Sequence, residues 1–272
     1  MFDNKIQFFF ECQRRSLPTP TIVAILGNVS GDSNDIPHPS SEEQLGEVLY
    51  RCGAGAYVIK PFKGIHGSDI MRIKISDKGL FSDTDRALIA GLIKQDFKGG
   101  NTYVVQKCLQ PHKDLRVIMP AEGLGTVRMV TVRDGQTAKL FAACVKIPTG
   151  SNFVDNFQGG ASGNLLVAVD LKSHRLKTPF GSDENELVIP VTNHPDSGMT
   201  LEGLEFPRWQ DMVNTVLAAA DAFDEFHSVG WDVALCHDGP CLIEANWNWA
   251  CNILQVALDR GLKRELSETL TL

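Results

Sequence analysis

The segment VGWDVALCHDGPCLIEANWN, residues 229–248, holds the residue types and spacing best suited to chemistry. Two apolar runs flank a tight turn, so it reads as a β-hairpin. With the loop centred on Asp238, Asp232 stands directly opposite Glu244, and strand alternation puts Asn246 on the same face two residues further along. Like charges facing each other destabilise a sheet unless something compensates them. Three hard oxygen donors on one face suit a divalent cation, Mg²⁺ before others, because so few protein ligands leave room for water and phosphate oxygens. A loop one residue shorter or longer would send Glu244 to the opposite face, and two solvated acids on a surface hairpin are the plain alternative. A second candidate is Lys60, within the apolar run Tyr57 to Phe62 and just ahead of Lys63-Gly64-Ile65-His66-Gly67-Ser68. A lysine beside the backbone N–H groups of Gly64 and Gly67 and the Ser68 hydroxyl suits nucleotide phosphates. Many strand lysines instead simply snorkel to water.

The elements that must position these residues follow from periodicity and punctuation. A helix is expected over residues 4–15 with Ile6, Phe9, Phe10 and Cys12 inward, ended by Pro18 and Pro20, and then a strand from Thr21 to Leu26. Residues 27–39 are rich in Gly, Ser, Asp, Asn and Pro and form a first candidate boundary. Ser40-Ser41-Glu42-Glu43 provides a capping box for a helix carrying Leu45, Val48, Leu49 and Cys52, closed by Gly53 and Gly55. Strand, Gly-rich loop and second strand (Ile70 to Ile75) come next. The sequence lacks both the P-loop pattern and the dinucleotide pattern, each of which needs a strand, a Gly-rich turn and a helix. A helix with Leu88, Leu92, Ile93 and Phe97 leads to a strand from Tyr103 to Leu109. Beyond Thr126 the chain is strand-rich: two long strands flank Asp134-Gly135, Ser151 to Asn164 is a loop, and LLVAVDL is a further strand. The polar stretch from Lys172 to Glu205 is expected to be an excursion from the core. Pro207 then opens a helix with an apolar stripe from Trp209 to Phe223.

Composition narrows the function. At 272 residues the chain can bury a sizeable core and divides into about two domains. Its 33 acids against 26 bases give a net charge of −7, which argues against a nucleic-acid partner. No run approaches the roughly 18–20 apolar residues of a membrane span, so no membrane insertion is expected. MFDNKIQFFF lacks the features of a secretory signal, which makes the cytoplasm the default location. Seven scattered cysteines suit reduced core thiols, although Cys236 and Cys241 could face each other across the hairpin.

The ordered set VIKPFKGIHGS, YVVQKCLQPHKDL, GTVRMVT, VKIPTGSNFVDNFQGGASG and GWDVALCHDGPCLIEANWN resembles the ATP-grasp superfamily, and most closely its sugar-transfer-associated branch, over roughly residues 40–260. The resemblance implies an α+β fold, the ATP-grasp fold, in which two α+β subdomains clasp ATP between antiparallel sheets. Its parts would be an N-terminal helix–strand segment over 1–38, a small subdomain with the Gly-rich loop over 39–110, and a large subdomain with the metal site over 111–272. The family's Rossmann-like N-terminal domain would precede the helix that Asn4-Lys5 begins and is not part of this sequence, so part of the acceptor wall is expected to be missing. Carried over by position, Lys60 contacts the α- and β-phosphates, with Gly64, Gly67 and Ser68 in the loop closing over them. Lys5 is the nearest candidate for a second such lysine. Gln106, Lys107 and Leu109 belong to the hinge whose main chain meets the adenine; where the family has an acid, this sequence has Gln106 or Lys107. Asp114 is the ribose partner. Arg128 and Lys146 face the γ-phosphate or the acceptor, Asn156 with Gly159 and Gly160 lies at the same mouth, and Asp232, Glu244 and Asn246 bind Mg²⁺.

The implied chemistry is that of an ATP- and Mg²⁺-dependent carboxylate–amine ligase. The carboxylate becomes an acylphosphate, an amine attacks it, and ADP and phosphate leave, in polysaccharide or natural-product biosynthesis. Cations that neutralise the transferring phosphoryl group do most of the work, with Arg128 the best oxyanion partner. No side chain need act as nucleophile, in keeping with the absence of a G-x-S-x-G elbow. A hydroxyl acceptor would make the protein a small-molecule kinase, with Asp155 or His66 as base, and a non-catalytic nucleotide-binding module is the third alternative. His194 is a candidate for the acceptor pocket, and an oligomer is compatible with everything above.

Overall fold

The computed structural model describes residues 2–27, 35–63, 70–99, 101–119 and 123–270. The chain divides into two compact units, the first made of residues 1–14 and 19–109, the second of residues 15–18 and 110–272.

The first unit contains α1 (Lys5–Arg14), β1 (Ile22–Leu26), α2 (Glu42–Cys52), β2 (Gly55–Pro61), β3 (Met71–Ile75), α3 (Asp83–Gly99) and β4 (Tyr103–Lys107). Its four strands form one antiparallel sheet in the order β1-β4-β2-β3. The start of α2 follows from its cap: Ser41 Oγ accepts from the Gln44 amide, while Gln44 Oε1 reaches back to the amide and hydroxyl of Ser40. Gly53, at φ 103°, closes the helix where a side chain would be strained. Strand alternation then sorts the two faces. Leu45 and Leu49 of α2, Ile89 of α3 and the strand residues Tyr57, Ile59, Ile73 and Val105 make one core, while Ile6 and Phe9 of α1 pack with Ile22, Ile25 and Val104 on the other side. In α1 Ile6, Phe8, Phe9 and Cys12 are buried, and Phe10 is partly buried against the Ile6–Phe9 core as expected, while Phe8 packs edge-on against Phe2. Lys60 pairs with Val104 across β2 and β4, next to buried Ile59.

The second unit contains β5 (Thr126–Asp134), β6 (Thr137–Ile147), β7 (Leu165–Val169), β8 (Leu176–Ser182), β9 (Val188–Pro190), α4 (Trp209–Ala222), β10 (Ser228–Cys236), β11 (Gly239–Asn246), α5 (Cys251–Leu258) and α6 (Lys263–Leu270). Its seven strands form a second antiparallel sheet, ordered β11-β10-β5-β6-β7-β8-β9. Lys172 to Glu205 is therefore no excursion, because it supplies β8 and β9 at the sheet edge. All three residues of β9 are exposed, and the polarity of this stretch reflects an edge in water rather than a missing strand. On one face α4 buries Trp209, Met212 and Val216, and Phe223 lies against Trp231, with ring centroids 6.0 Å apart. On the other, Trp249 and Leu254 cover Val130, Ala142, Cys144 and Leu166. All seven cysteines are free. No described helix is long and apolar enough to cross a membrane.

The hairpin β10–β11 corrects one step of the sequence argument. Its turn has two residues, His237 and Asp238, between paired Cys236 and Gly239, a register that would face Asp232 with Ile243. A β-bulge between Val233–Leu242 and Asp232–Glu244 takes up Ile243 as an extra residue and restores the Asp232–Glu244 pairing. The expected pairing holds because two deviations of one residue cancel.

In the first unit the Tyr57 hydroxyl lies 2.6 Å from the Gly53 carbonyl and 3.1 Å from that of Leu49, so the buried ring also caps the end of α2. Replacing Tyr57 by Phe leaves those carbonyls short of a donor and should cost about 1–2 kcal/mol. Urea unfolding monitored by circular dichroism reads this as a lower midpoint with an unchanged slope.

Candidate functional site

The candidate site in the second unit is built on one transverse row of its sheet. Glu244 on β11 pairs with Asp232 on β10, Asp232 with Arg128 on β5, Arg128 with Cys144 on β6, and Cys144 with Ala168 on β7. Directly opposed carboxylates are unfavourable, and Arg128 on the far side of Asp232 supplies the compensation. Its Nε donates to Asp232 Oδ1 at 2.6 Å and its Nη2 to Oδ2 at 3.0 Å, a bidentate pair that fixes both planes. Nη1 donates to the Trp249 carbonyl at 3.1 Å. Gly230 makes room for this arrangement, since a Cβ there would lie 2.4 Å from that of Trp249 and 3.2 Å from Arg128 Cδ.

Lys146 completes the cluster. Its Nζ donates to Asp232 Oδ2 at 3.3 Å and lies 3.5 Å from Asp155 Oδ1. Asp155 Oδ2 accepts from both the amide and the hydroxyl of Thr126, at 2.8 and 2.5 Å, and Thr126 is the cross-strand partner of Lys146. Asp155, a sequence candidate for general base, is thus committed to Thr126 and Lys146. The loop from Ser151 is fastened by buried Asn164, whose Nδ2 donates to the carbonyls of Val154 and Asn156 and whose Oδ1 accepts from the Thr149 amide.

Arg128, Lys146 and Asp232 are all buried. Burial would raise the pKa of Asp232, but the charges and hydrogen bonds of Arg128 and Lys146 win and hold it well below the ordinary carboxylate range. Burial likewise opposes the charge on Lys146, and Asp155 and then Asp232 more than offset it, so its pKa is raised. Arg128 is raised in the same way, burial being outweighed by Asp232 with a smaller contribution from Glu244. Burial pushes the Cys144 thiol up to about 12, which leaves it an inert part of the floor.

Asn246 pairs with Gly230, donates to its carbonyl at 3.4 Å, and lies two residues beyond Glu244 on the same strand. The donor set Asp232, Glu244 and Asn246 contains only hard oxygens and an amide and fits Mg²⁺, which keeps several non-protein ligands. Among the described residues no group of three or more His, Cys, Asp or Glu could hold a metal ion, so these side chains would need oxygens from elsewhere.

The remaining sequence candidates are more scattered. In the first unit Lys60 is buried in β2. Gln106 is buried and donates from Nε2 to the Pro20 carbonyl at 3.0 Å, just ahead of β1. Lys107 is exposed and Leu109 half-buried. Gly64, Gly67 and Ser68, with His66, lie outside the described residues. In the second unit Asp114 is half-exposed beside His112 in a short 3-10 turn, and Asn156 adjoins Asp155. His194 is fully buried, its Nδ1 accepting from the Asp196 amide while Asp196 accepts from the Gly150 amide, so it secures a loop instead of lining an open pocket. Sequence reasoning missed Thr126 and the Trp249 carbonyl. Thr126 faces Lys146 only because a β-bulge between Val130 and Thr131 shifts the register that the β5–β6 turn sets, and neither that bulge nor a backbone carbonyl leaves a mark in the sequence.

The Asp232 cluster sets an acid limit to stability. A carboxylate with a depressed folded pKa stabilises fully above its unfolded value and loses that contribution as the pH falls through the folded one, so the second unit should weaken below about pH 4. Asp232→Asn leaves two buried cations short of a counter-charge and should cost about 3–5 kcal/mol at neutral pH while flattening the acid limb. Thermal melts between about pH 2 and 7 would read both effects.

A family profile described as sugar-transfer associated ATP-grasp matches residues 1–270. No curated protein matches the sequence. Among solved structures, D-alanyl-alanine synthetase A from Vibrio cholerae is 12 % identical, with 100 % of this chain and 66 % of that one covered at a TM-score of 0.53. The biotin carboxylase–β-γ-ATP complex from Campylobacter jejuni is 10 % identical, with 99 % and 46 % covered at a TM-score of 0.50. At these identities the likeness is one of fold, and this chain spans less than two thirds of either protein.

Proposed function

Because the chain belongs to the sugar-transfer associated ATP-grasp family, we propose that it is an ATP-dependent ligase joining a small-molecule carboxylate to an amine, with release of ADP and phosphate. The observation that carries this proposal is the transverse row Glu244–Asp232–Arg128, flanked by Lys146, in which half-buried Glu244 adjoins the buried Asp232, Arg128 and Lys146 and which gathers oxygen donors and cations on one sheet face. Asp232, Glu244 and Asn246 would hold Mg²⁺, which when bound supplies neutralising charge to the nucleotide phosphates. Arg128 presents a planar fork whose spacing matches phosphoryl oxygens as well as it matches Asp232, and Lys146 adds a point charge beside it. Both stay protonated throughout, so they stabilise developing negative charge without transferring protons.

Lys60 is assigned to the α- and β-phosphates, with Gly64, Gly67 and Ser68 closing over them. The main chain of Gln106, Lys107 and Leu109 meets the adenine, Asp114 the ribose, and Asn156 the acceptor mouth; the family resemblance supports these roles. The acceptor carboxylate attacks the γ-phosphoryl group, and the resulting acylphosphate is opened by the amine. Positioning and charge suffice for both steps, so no protein nucleophile is required. We infer a role in polysaccharide or natural-product biosynthesis in the cytoplasm, for which the family's association with sugar transfer is the support on the polysaccharide side.

Calorimetric titration of a non-hydrolysable ATP analogue, with and without Mg²⁺, tests the nucleotide site. Wild-type protein should bind the analogue in a Mg²⁺-dependent manner, and Glu244→Gln should weaken that binding roughly tenfold or more, about 1.4 kcal/mol. A folded sample that binds no analogue in the presence of Mg²⁺ would exclude the proposal. ADP release on addition of a carboxylate with an amine, and none with hydroxyl acceptors alone, would separate ligase from kinase.

A further inference from the structure

We propose that the second unit carries a second small-molecule site, a cleft between β6, β7 and the α5–α6 junction that takes a compact zwitterion with an apolar body, in chemical class a free apolar amino acid. This site is independent of the ligase reading above. The sheet itself opens the cleft. β6 runs from Thr137 to Ile147 but pairs with β7 only from Cys144 to Ile147, and a β-bulge that takes up Phe141 bends the strand just beyond that ladder. The gap forms a cavity of about 480 Å³, within the size range of small-molecule sites. Arg128, Lys146, Asp232, Glu244 and Asn246 take no part in its lining.

The lining is polarised. Phe141, Ala142, Val169, Leu258 and Leu262 give an apolar floor. On the side of the β7–β8 turn, Lys172 and Lys177 stand against Asp170, whereas on the α5–α6 side Glu265 and Glu268 stand against Arg260. One wall therefore has a surplus positive charge and the other a surplus negative one. Asp170 Oδ1 is already taken by its own turn, accepting from the amides of Lys172 and Ser173, and its Oδ2 lies 3.8 Å from Lys177 Nζ. The pairs on the other wall are also loose, Arg260–Glu265 at 3.5 Å and Glu268–Arg264 at 3.9 Å, and ion pairs open to water hold their partners weakly. A ligand with a single charge answers one wall and leaves the other surplus without a counter-charge. A zwitterion answers both: its carboxylate meets Lys172 and Lys177, its ammonium meets Glu265 and Glu268, and its side chain covers the floor.

The test is calorimetry on the full chain, without nucleotide or Mg²⁺, using L-valine, L-leucine and L-phenylalanine in separate titrations. At least one should bind saturably with a Kd of about 1 mM or tighter. Its N-acetyl derivative, which lacks the positive charge, and its methyl ester, which lacks the negative one, should each bind at least roughly tenfold more weakly. Lys172 and Glu268 are exposed, so reversing either charge leaves the fold intact. Lys172→Glu and Glu268→Lys should each weaken the same amino acid by roughly tenfold or more. No binding of any of the three to folded protein overturns the inference. Equal binding of the acetylated or esterified form also overturns it, because the two charged walls then play no part. Undiminished binding in both charge-reversed variants overturns it as well, since the amino acid then sits elsewhere, as an acceptor substrate in the nucleotide site would. If one variant does not fold, the other decides. None of these outcomes bears on the ligase proposal, which the ATP analogue tests separately.

Discussion

The second unit is organised around a carboxylate buried in the middle of a β-sheet. Asp232 lies on β10 between Glu244 on one neighbouring strand and Arg128 on the other, and only the bidentate contact with Arg128 makes its ionised form tolerable there. The requirement propagates outward. Arg128 needs the carbonyl of Trp249, Trp249 needs the absence of a side chain at Gly230, and Lys146 needs Asp155, which in turn needs Thr126. A cluster so fully paired is stiff, and stiffness is what a site working by position and charge must have.

Charges buried in this manner contribute little net stability compared with a well-packed apolar core, so their presence calls for a functional account. Two cations stand against three carboxylates when Glu244 and Asp155 are included with Asp232. The cluster is thus nearly neutral by itself. The apolar neighbours serve the same end, because Cys144, Leu166 and Ala168 under Trp249 and Leu254 keep that sheet face dry and the local electrostatic forces strong.

The first unit is built more simply. Its strand β2, which carries buried Lys60, has two covered faces, α2 and α3 on one and α1 on the other. Tyr57, three residues earlier, ties that strand to the end of α2.

The sequence by itself determined most of the elements. Apolar periodicity located the helices and strands as far as β7, then α4 and the hairpin β10–β11, but not β8, β9, α5 or α6, and the cap at Ser41 and the stop at Gly53 marked one helix at both ends. Family resemblance added Arg128 and Lys146 as members of the site. Only the tertiary structure decided which groups meet. The bulge at Ile243 has no sequence signal, yet without it the two-residue turn would have put Glu244 on the wrong face. The polar segment bearing β8 and β9 looked like an excursion, because an edge strand in water carries the composition of a loop. The side chains of Gln106 and Asp155 find partners far away in the chain, the Pro20 carbonyl just ahead of β1 and Thr126 on β5. Local propensity acts over a few residues, which makes elements legible. Register, bulges and partner choice are set by contacts between strands far apart in the chain, and those exist only once the sheet has formed.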